Sequence, residues 1–231
     1  SDTIFSPDGN GTEDTTTITA DITAVSDWTV EIKNAGDQVV RSFSARGATV
    51  SAPWNGKDSN NQTVPDGAYT WTITAQDPNT QAQATPVSGT VKVDTVIDTS
   101  QITSPASGAN LSGTVPIKGL ANDANVNVYP YGSSWGLSYG QGINPTSWTT
   151  LTYSYNPAVL DAFGDPPTIF NWNTSQRTNG PYVLRLEVYD QAGNRSDTRI
   201  PVTLYNIAIN NARASDTIFS PDGNGTEDTT T

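Results

Sequence analysis

Cysteine, methionine and histidine are all absent from the 231 residues. Without cysteine the chain must hold together with no disulfide. Without cysteine or histidine it has no thiolate or imidazole for an ordinary zinc site. Serine–histidine and cysteine–histidine catalysis are excluded for the same reason. Basic residues are scarce as well: 11 Lys and Arg stand against 23 Asp and Glu, for a net charge of −12. That balance opposes binding to nucleic acid or to an anionic lipid surface, and it suits cation binding. No apolar run is long enough to cross a bilayer, and Ser1 opens no signal-peptide pattern, so the reading is a soluble fragment whose export or anchoring signal lies elsewhere. No Gly-rich phosphate loop is present, and paired acids such as Glu13 and Asp14 are mere loop neighbours. The expectation is a protein that is not an enzyme.

What is present is a long repeat. Ser1–Thr17, SDTIFSPDGNGTEDTTT, returns letter for letter at Ser215–Thr231, an offset of 215 − 1 = 214 residues. A period of that length is a multi-domain cassette in a tandem array, followed here by the start of the next copy. The repeated stretch also holds the strongest candidate site. Asp8, Asn10, Thr12 and Asp14 alternate along a loop that Gly9 and Gly11 allow to fold tightly, and Asp222, Asn224, Thr226 and Asp228 repeat them. Calcium takes six to eight oxygen ligands, and alternating positions of an EF-hand loop supply them in this way. The loop is no EF-hand, because the position of the closing glutamate is Thr19. Further ligands would come from elsewhere, with Asp58, Asp66, Asp94 and Asp98 as candidates. A plain polar turn before a strand is the competing reading.

The string F-S-P-D-G-N-G-T-E-D-T at 5–15 resembles the F-S-P-N-G-D-G-x-N-D motif of many bacterial surface and secreted proteins, with Asp and Asn exchanged at two places. That resemblance implies a calcium-binding loop at the opening of an immunoglobulin-like module. The composition fits two domains: 1–95, 96–214, and 215–231 as the start of the next repeat. The fold class expected is all-β, two tandem immunoglobulin-like β-sandwiches, because short alternating segments follow one another between turn signals. Thr15–Ile22 reads as a strand. Trp28, Val30 and Ile32 share one face, Gly36-Asp37 is a turn, Gln38–Phe43 is the next strand, and Tyr69, Trp71 and Ile73 alternate again. Trp54-Asn55-Gly56-Lys57-Asp58 and Val64-Pro65-Asp66-Gly67-Ala68-Tyr69 resemble the immunoglobulin-like domain of flagellar hook-capping proteins and their surface-protein relatives. The resemblance implies that Trp54 packs in the sandwich and that the family contributes a scaffold without a shared catalytic activity.

A short, stiff linker is expected within Val93–Thr103. Beyond it, Leu111–Gly119 reads as two strand pieces around Pro116 at an edge or bulge. The order Y-G-x-G-x-x-P-x-x-W, W-x-T and G-x-Y-x-L-R-L-x-V-x-D-x-A-G-N resembles a second class of bacterial immunoglobulin-like repeats. The aromatic residues between Tyr129 and Tyr155 would fill a core or present rings to a glycan. Trp135, in a Gly/Ser-rich loop, and Tyr139 are the candidate ligand surface. Lys33 and Lys92 near strand ends are weak candidates for an internal cross-link to asparagine. The function that follows is a structural cassette of a long extracellular stalk or filament, stiffened by calcium at module ends, with neighbouring identical repeats as partners. An adhesin module that binds glycan or a cell surface, and a subunit that assembles by strand addition, are the alternatives.

Overall fold

The computed structural model describes residues 3–125, 134–207 and 213. Asp222, Asn224, Thr226 and Asp228 lie outside the described residues, as do Tyr129 and Tyr131. Every regular element among the described residues is a strand.

The first module contains Ile4–Phe5 (β1), Thr16–Lys33 (β2), Val39–Trp54 (β3), Gly67–Gln76 (β4) and Val87–Val93 (β5), hydrogen-bonded in the order β1-β5-β4-β2-β3. The expected strands Thr15–Ile22 and Trp28–Ile32 prove to be one. No Gly or Pro interrupts Ile22–Val25, and the chain crosses that stretch as a bulge. Four residues lie between the paired positions Asp21 and Ser26, while β3 passes from Thr49 to Gly47. The bulge bends the β2–β3 hairpin over the sheet. The near half of β2, Asp27–Lys33, pairs with β4, and the far half, Thr16–Asp21, pairs only with β3. Between these two layers lie Trp28, Val30 and Ile32 from one half, with Ile18, Val50, Ala52 and Trp54 from the other. Trp54 fills the centre edge-on to Phe5 and Tyr69, with ring centroids 5.4 and 5.2 Å away, and its Nε1–H donates to Lys57 O. The turn at Gly36-Asp37 closes on Asn34, whose Oδ1 accepts the N–H groups of Gly36 and Gln38.

The second module is a two-sheet sandwich. Thr99–Ser104 (β6), Asn110–Leu111 (β7), Thr114–Asn122 (β8), Trp135–Gln141 (β9), Thr149–Ser154 (β10), Thr168–Asn173 (β11), Gly180–Tyr189 (β12) and Arg195–Leu204 (β13) follow in order. Five pair as β10-β9-β12-β13-β7 and three as β11-β8-β6. Leu137, Tyr139, Leu184, Leu186 and Val202 of one sheet meet Ile102, Ile117 and Trp172 of the other. Pro116 stands in β8, opposite Asn171 of β11, past the end of the β6 pairing at Lys118. On that side the strand is locally an edge, so the missing N–H breaks no ladder bond.

The modules share a plan. With a shift of 180 − 67 = 113 residues, Gly67, Tyr69 and Asp77 fall on Gly180, Tyr182 and Asp190. Tyr69 donates its hydroxyl to Pro65 O and Tyr182 donates its own to Thr178 O, each four residues back. In both modules a two-residue strand, β1 or β7, runs parallel to the last strand and closes the sheet. Both modules therefore point their last strand toward what comes next.

Candidate metal centre

Only Asp94–Asp98 separates the last strand of the first module from the first strand of the second. Five residues leave the two ends in contact. From the first module come the segment after β1 and the residue after β5. From the second come the β12–β13 turn and the end of β8. Ser6 donates its hydroxyl to Asn194 Oδ1 at 2.6 Å, and Asn194 Nδ2 donates to Asp94 O at 2.8 Å. Gly193 has φ +85°, and a Cβ there would stand 3.0 Å from Thr12 Cγ2. The turn Asp190-Gln191-Ala192-Gly193-Asn194 is thus seated directly on the repeated loop.

Three carboxylates converge at this seam. Asp94, Asp123 and Asp190 are 6%, 5% and 8% exposed, and each offers an oxygen within 4.8 Å of the other two. Asp123 Oδ2 accepts Asp98 N–H, and its Oδ1 accepts Asn125 N–H. Asp190 accepts the N–H and Nδ2–H of Asn194. Asp94 Oδ2 accepts Asn125 Nδ2–H, and the Lys92 ammonium stands 3.5 Å away. Burial pushes the Asp94 carboxyl above its ordinary value; Asp123 adds to the rise and Lys92 opposes it. Burial pushes Asp190 up to about 6 despite its two bonds from Asn194, and the charges of Asp123 and Asp94 add to the rise. Two carboxylate charges at such a spacing repel by about 3–4 kcal/mol at an effective dielectric of about 20. One partly exposed lysine does not neutralise three acids.

The donor set fits a hard divalent cation. All three groups are oxygen donors, and oxygens on opposite sides of a calcium ion at about 2.4 Å each are about 4.8 Å apart. Asp94, Asp123 and Asp190 would hold the ion, and the ion would cancel their mutual repulsion. Among the described residues no other group of three acids is so arranged.

The structure places the repeated loop at the same seam, beside this cluster. Its side chains are turned onto its own backbone. Asp8 accepts Asn10 N–H and Nδ2–H, Asn10 Oδ1 accepts Thr12 N–H, and Asp14 accepts the N–H groups of Gly9 and Gly11. Asp8 and Asn10 line an open cleft of about 380 Å³ with Thr95, Asn194 and Arg195. The loop is anchored beneath by Pro7, which lies against Gly56 so closely that a Cβ there would come within 2.4 Å. The F-S-P and W-N-G strings are therefore one packing unit.

The other candidates have local roles. Asp58 Oδ1 caps its own turn, accepting from Asn60 and Gln62. Asp66 holds the linker by accepting the N–H and hydroxyl of Thr95. Asp98 accepts Ala124 N–H. Trp135 opens β9 instead of standing in a loop. It is buried, with Nε1–H donating to Asn156 O, and Tyr139 packs on Trp172 in the same core. Lys33 pairs with Glu31. Locally Asp123 and Asp190 are indistinguishable from ordinary turn aspartates, so neither stands out in the sequence. The one available signal was the D-x-A-G-N string, whose Asp190 and Asn194 both reach the seam.

Residues 2–79 match the family model described as the FlgD Ig-like domain, which bears out the resemblance read from Trp54–Tyr69. Among curated protein sequences none matches the chain. One similar solved structure is a Ca2+-stabilized adhesin that helps an Antarctic bacterium reach out and bind ice: 16% identity, 87% of this chain, 46% of that one, TM-score 0.40. Another is a tetra-tandem repeat from the extending region of a large adhesion protein: 18% identity, 84% of this chain, 46% of that one, TM-score 0.32. A third is a 1.5-MDa bacterial ice-binding adhesin: 18% identity, 89% of this chain, 61% of that one, TM-score 0.39. This chain spans less than two thirds of the length of each. Its first module is thus similar to the FlgD Ig-like domain, and its second is a two-sheet β-sandwich.

Proposed function

We propose that this chain is a structural cassette of an extracellular tandem array, with calcium at the Asp94–Asp123–Asp190 cluster setting the angle between its two modules. The observation that carries this reading is the burial of three carboxylates, drawn from both modules, around a spacing that suits one hard cation. The role is mechanical and non-catalytic. Without a cation the seam repels itself; with one, oxygens from Val93's neighbour Asp94 and from two turns of the second module share a single partner. At an extracellular-type affinity near ~10⁻⁴ M and calcium near ~10⁻³ M, binding contributes about 1.4 kcal/mol, enough to stiffen a hinge without being needed to fold either module.

The loop Asp8–Asn10–Thr12–Asp14 is proposed as a second cation position, supported by the place of Asp8 and Asn10 on the cleft at this seam. Thermal melting in EDTA and across a calcium titration tests both. A saturable rise in Tm that Asp123→Asn removes supports the cluster, and a further rise that Asp8→Ala removes supports the loop. No rise at millimolar calcium in the unmodified chain refutes both. An adhesive surface on the second module is the alternative, favoured by exposed Tyr153 and Tyr155. Glycan binding lost in Tyr153→Ala would support it.

A further inference from the structure

The seam just described is only one of two that a tandem array must contain. The parallel pairing of β1 with β5, continued by the bond from Lys92 N–H to Thr3 O, brings the chain into the first module from the Val87 end. Since Ser215–Thr231 repeats Ser1–Thr17, a chain that precedes such a module in the array is the exit of a second module. Among the described residues Asn206 is the last one clamped to that exit. Its Oδ1 accepts from Gly113 N–H and Thr174 Oγ1–H, its Nδ2 donates to Thr174 O, and its N–H donates to Asn179 Oδ1. From Asn206 to Thr217, the repeat of Thr3, is 217 − 206 = 11 residues. They reach at most about 40 Å, so the two ends lie within that distance of each other.

These ends differ in kind from the carboxylate seam. At the second module's exit, the stretches 110–113, 139–142, 173–180 and 205–207 carry a single charged residue, Arg177, which lies over the Tyr139 ring. At the entry end of the first module, the stretches 21–27, 44–49 and 74–87 carry Asp21, Asp27, Asp77 and Arg46, three acids less one base. Asp27 and Arg46 form a bidentate pair, and Asp77 caps its own turn through Asn79 and Thr80. This end also presents Val25 and Val87, each 57% exposed, and a groove whose lining mixes apolar residues such as Trp28, Ala75 and Pro86 with polar ones such as Asp27, Ser44 and Gln76. Where the shared plan places Asp190 in the second module, the first has Asp77, already satisfied by backbone N–H groups. The second module's exit thus carries one positive charge, and the entry end of the first module carries a net negative one.

We infer that the exit of the second module, with its Asn179–Asn206 clamp and Arg177, seats on the Val25–Pro86–Val87 end of the next copy's first module and forms a joint that needs no cation. Two kinds of joint then alternate along the array, and one per cassette responds to calcium. The inference rests on the tandem-array reading, and its occupant is a second copy of this chain.

Two consecutive cassettes in one chain test it. The absence of native cysteine lets paired spin labels report one joint at a time: Gln62→Cys with Gln101→Cys across the carboxylate joint, and Asn171→Cys with Thr90→Cys of the next copy across the other. The expected result is a narrow distance distribution across the second joint that EDTA leaves unchanged, while Val25→Asp/Val87→Asp broadens it. A distribution broad with and without calcium, or one that narrows only with calcium, overturns the inference. A carboxylate joint indifferent to EDTA would instead refute the calcium reading while leaving the second joint to stand or fall on its own labels.

Discussion

At the exit of the first module, Asp66 receives the N–H and hydroxyl of Thr95. At the exit of the second, Asn179 receives the N–H of Asn206 and donates back to its carbonyl. Asp66 and Asn179 correspond under the 113-residue shift, and Thr95 and Asn206 each stand two residues past the strand residue paired with Gly67 or Gly180, Val93 or Leu204; the hydrogen-bonding tasks are alike. The difference is charge. Asp66 stands at an exit that also holds Asp94 and faces Asp123 and Asp190, whereas the second exit is built from amides and hydroxyls that satisfy one another. A self-contained amide clamp holds its geometry in any medium. A ring of buried carboxylates holds only when something neutralises it. One scaffold thus carries a buried acidic cluster at one exit and a neutral amide clamp at the other.

The comparison can be broken at several points. The largest effect is expected from Gly56→Ala. Gly56 has φ +66° and lies against Pro7, whereas the corresponding residue two places after Trp172 is Thr174, a hydroxyl donor to Gly113 O. Strain and overlap should lower the first module's stability by about 2–4 kcal/mol, read by chemical denaturation followed through tryptophan fluorescence. Asn206→Ala should cost about 1–3 kcal/mol by leaving several partners unsatisfied, and equally so in calcium and in EDTA. A calcium-dependent cost would show that the second exit is no simple amide clamp.

Replacing both Asp94→Asn and Asp123→Asn should abolish the calcium-induced gain of about 1.4 kcal/mol, while raising stability in EDTA because repulsion is relieved. A melting curve in each condition separates the two signs. The pH dependence follows from Asp190, whose folded value is raised from 3.8 to about 6. A carboxyl with a raised folded value favours the folded state while it is protonated. In EDTA its contribution should be full below about pH 4 and lost as pH rises through about 6; with calcium bound, the gain should shrink as protons compete below that value. A flat EDTA profile over this window would remove the buried-acid part of the comparison. The smallest change is Asp66→Asn, which makes the first exit resemble the second and should cost under about 1 kcal/mol.

Much of the fold was legible in local pattern. Trp28, Val30 and Ile32 face inward as their alternation requires, and Trp54 with the string Val64–Tyr69 packs as the resemblance implied. The length of β2 was not legible, because a bulge between Asp21 and Ser26 leaves no glycine or proline to mark it. Trp135 looked like a loop residue because of its Gly and Ser neighbours. Its burial depends on pairing with Val188 across β12, a partner 188 − 135 = 53 residues away. The repeated loop lies at the seam between the modules, where the buried carboxylates are those of Asp94, Asp123 and Asp190.

By itself the sequence determined the 214-residue period, the all-β character, the lack of thiol and imidazole chemistry and the surplus of acid. These are matters of composition and short-range pattern, and no folding is needed to read them. Only the tertiary structure decided which acids meet. Asp94, Asp123 and Asp190 are separated by 29 and 67 residues (123 − 94 and 190 − 123), and each is locally a residue at the end of a strand. They converge because two sandwiches, joined by five residues, press a strand end against two turns. Burial there turns three ordinary aspartates into a group whose oxygens lie close enough to repel one another, with Asp190 pushed up to about 6.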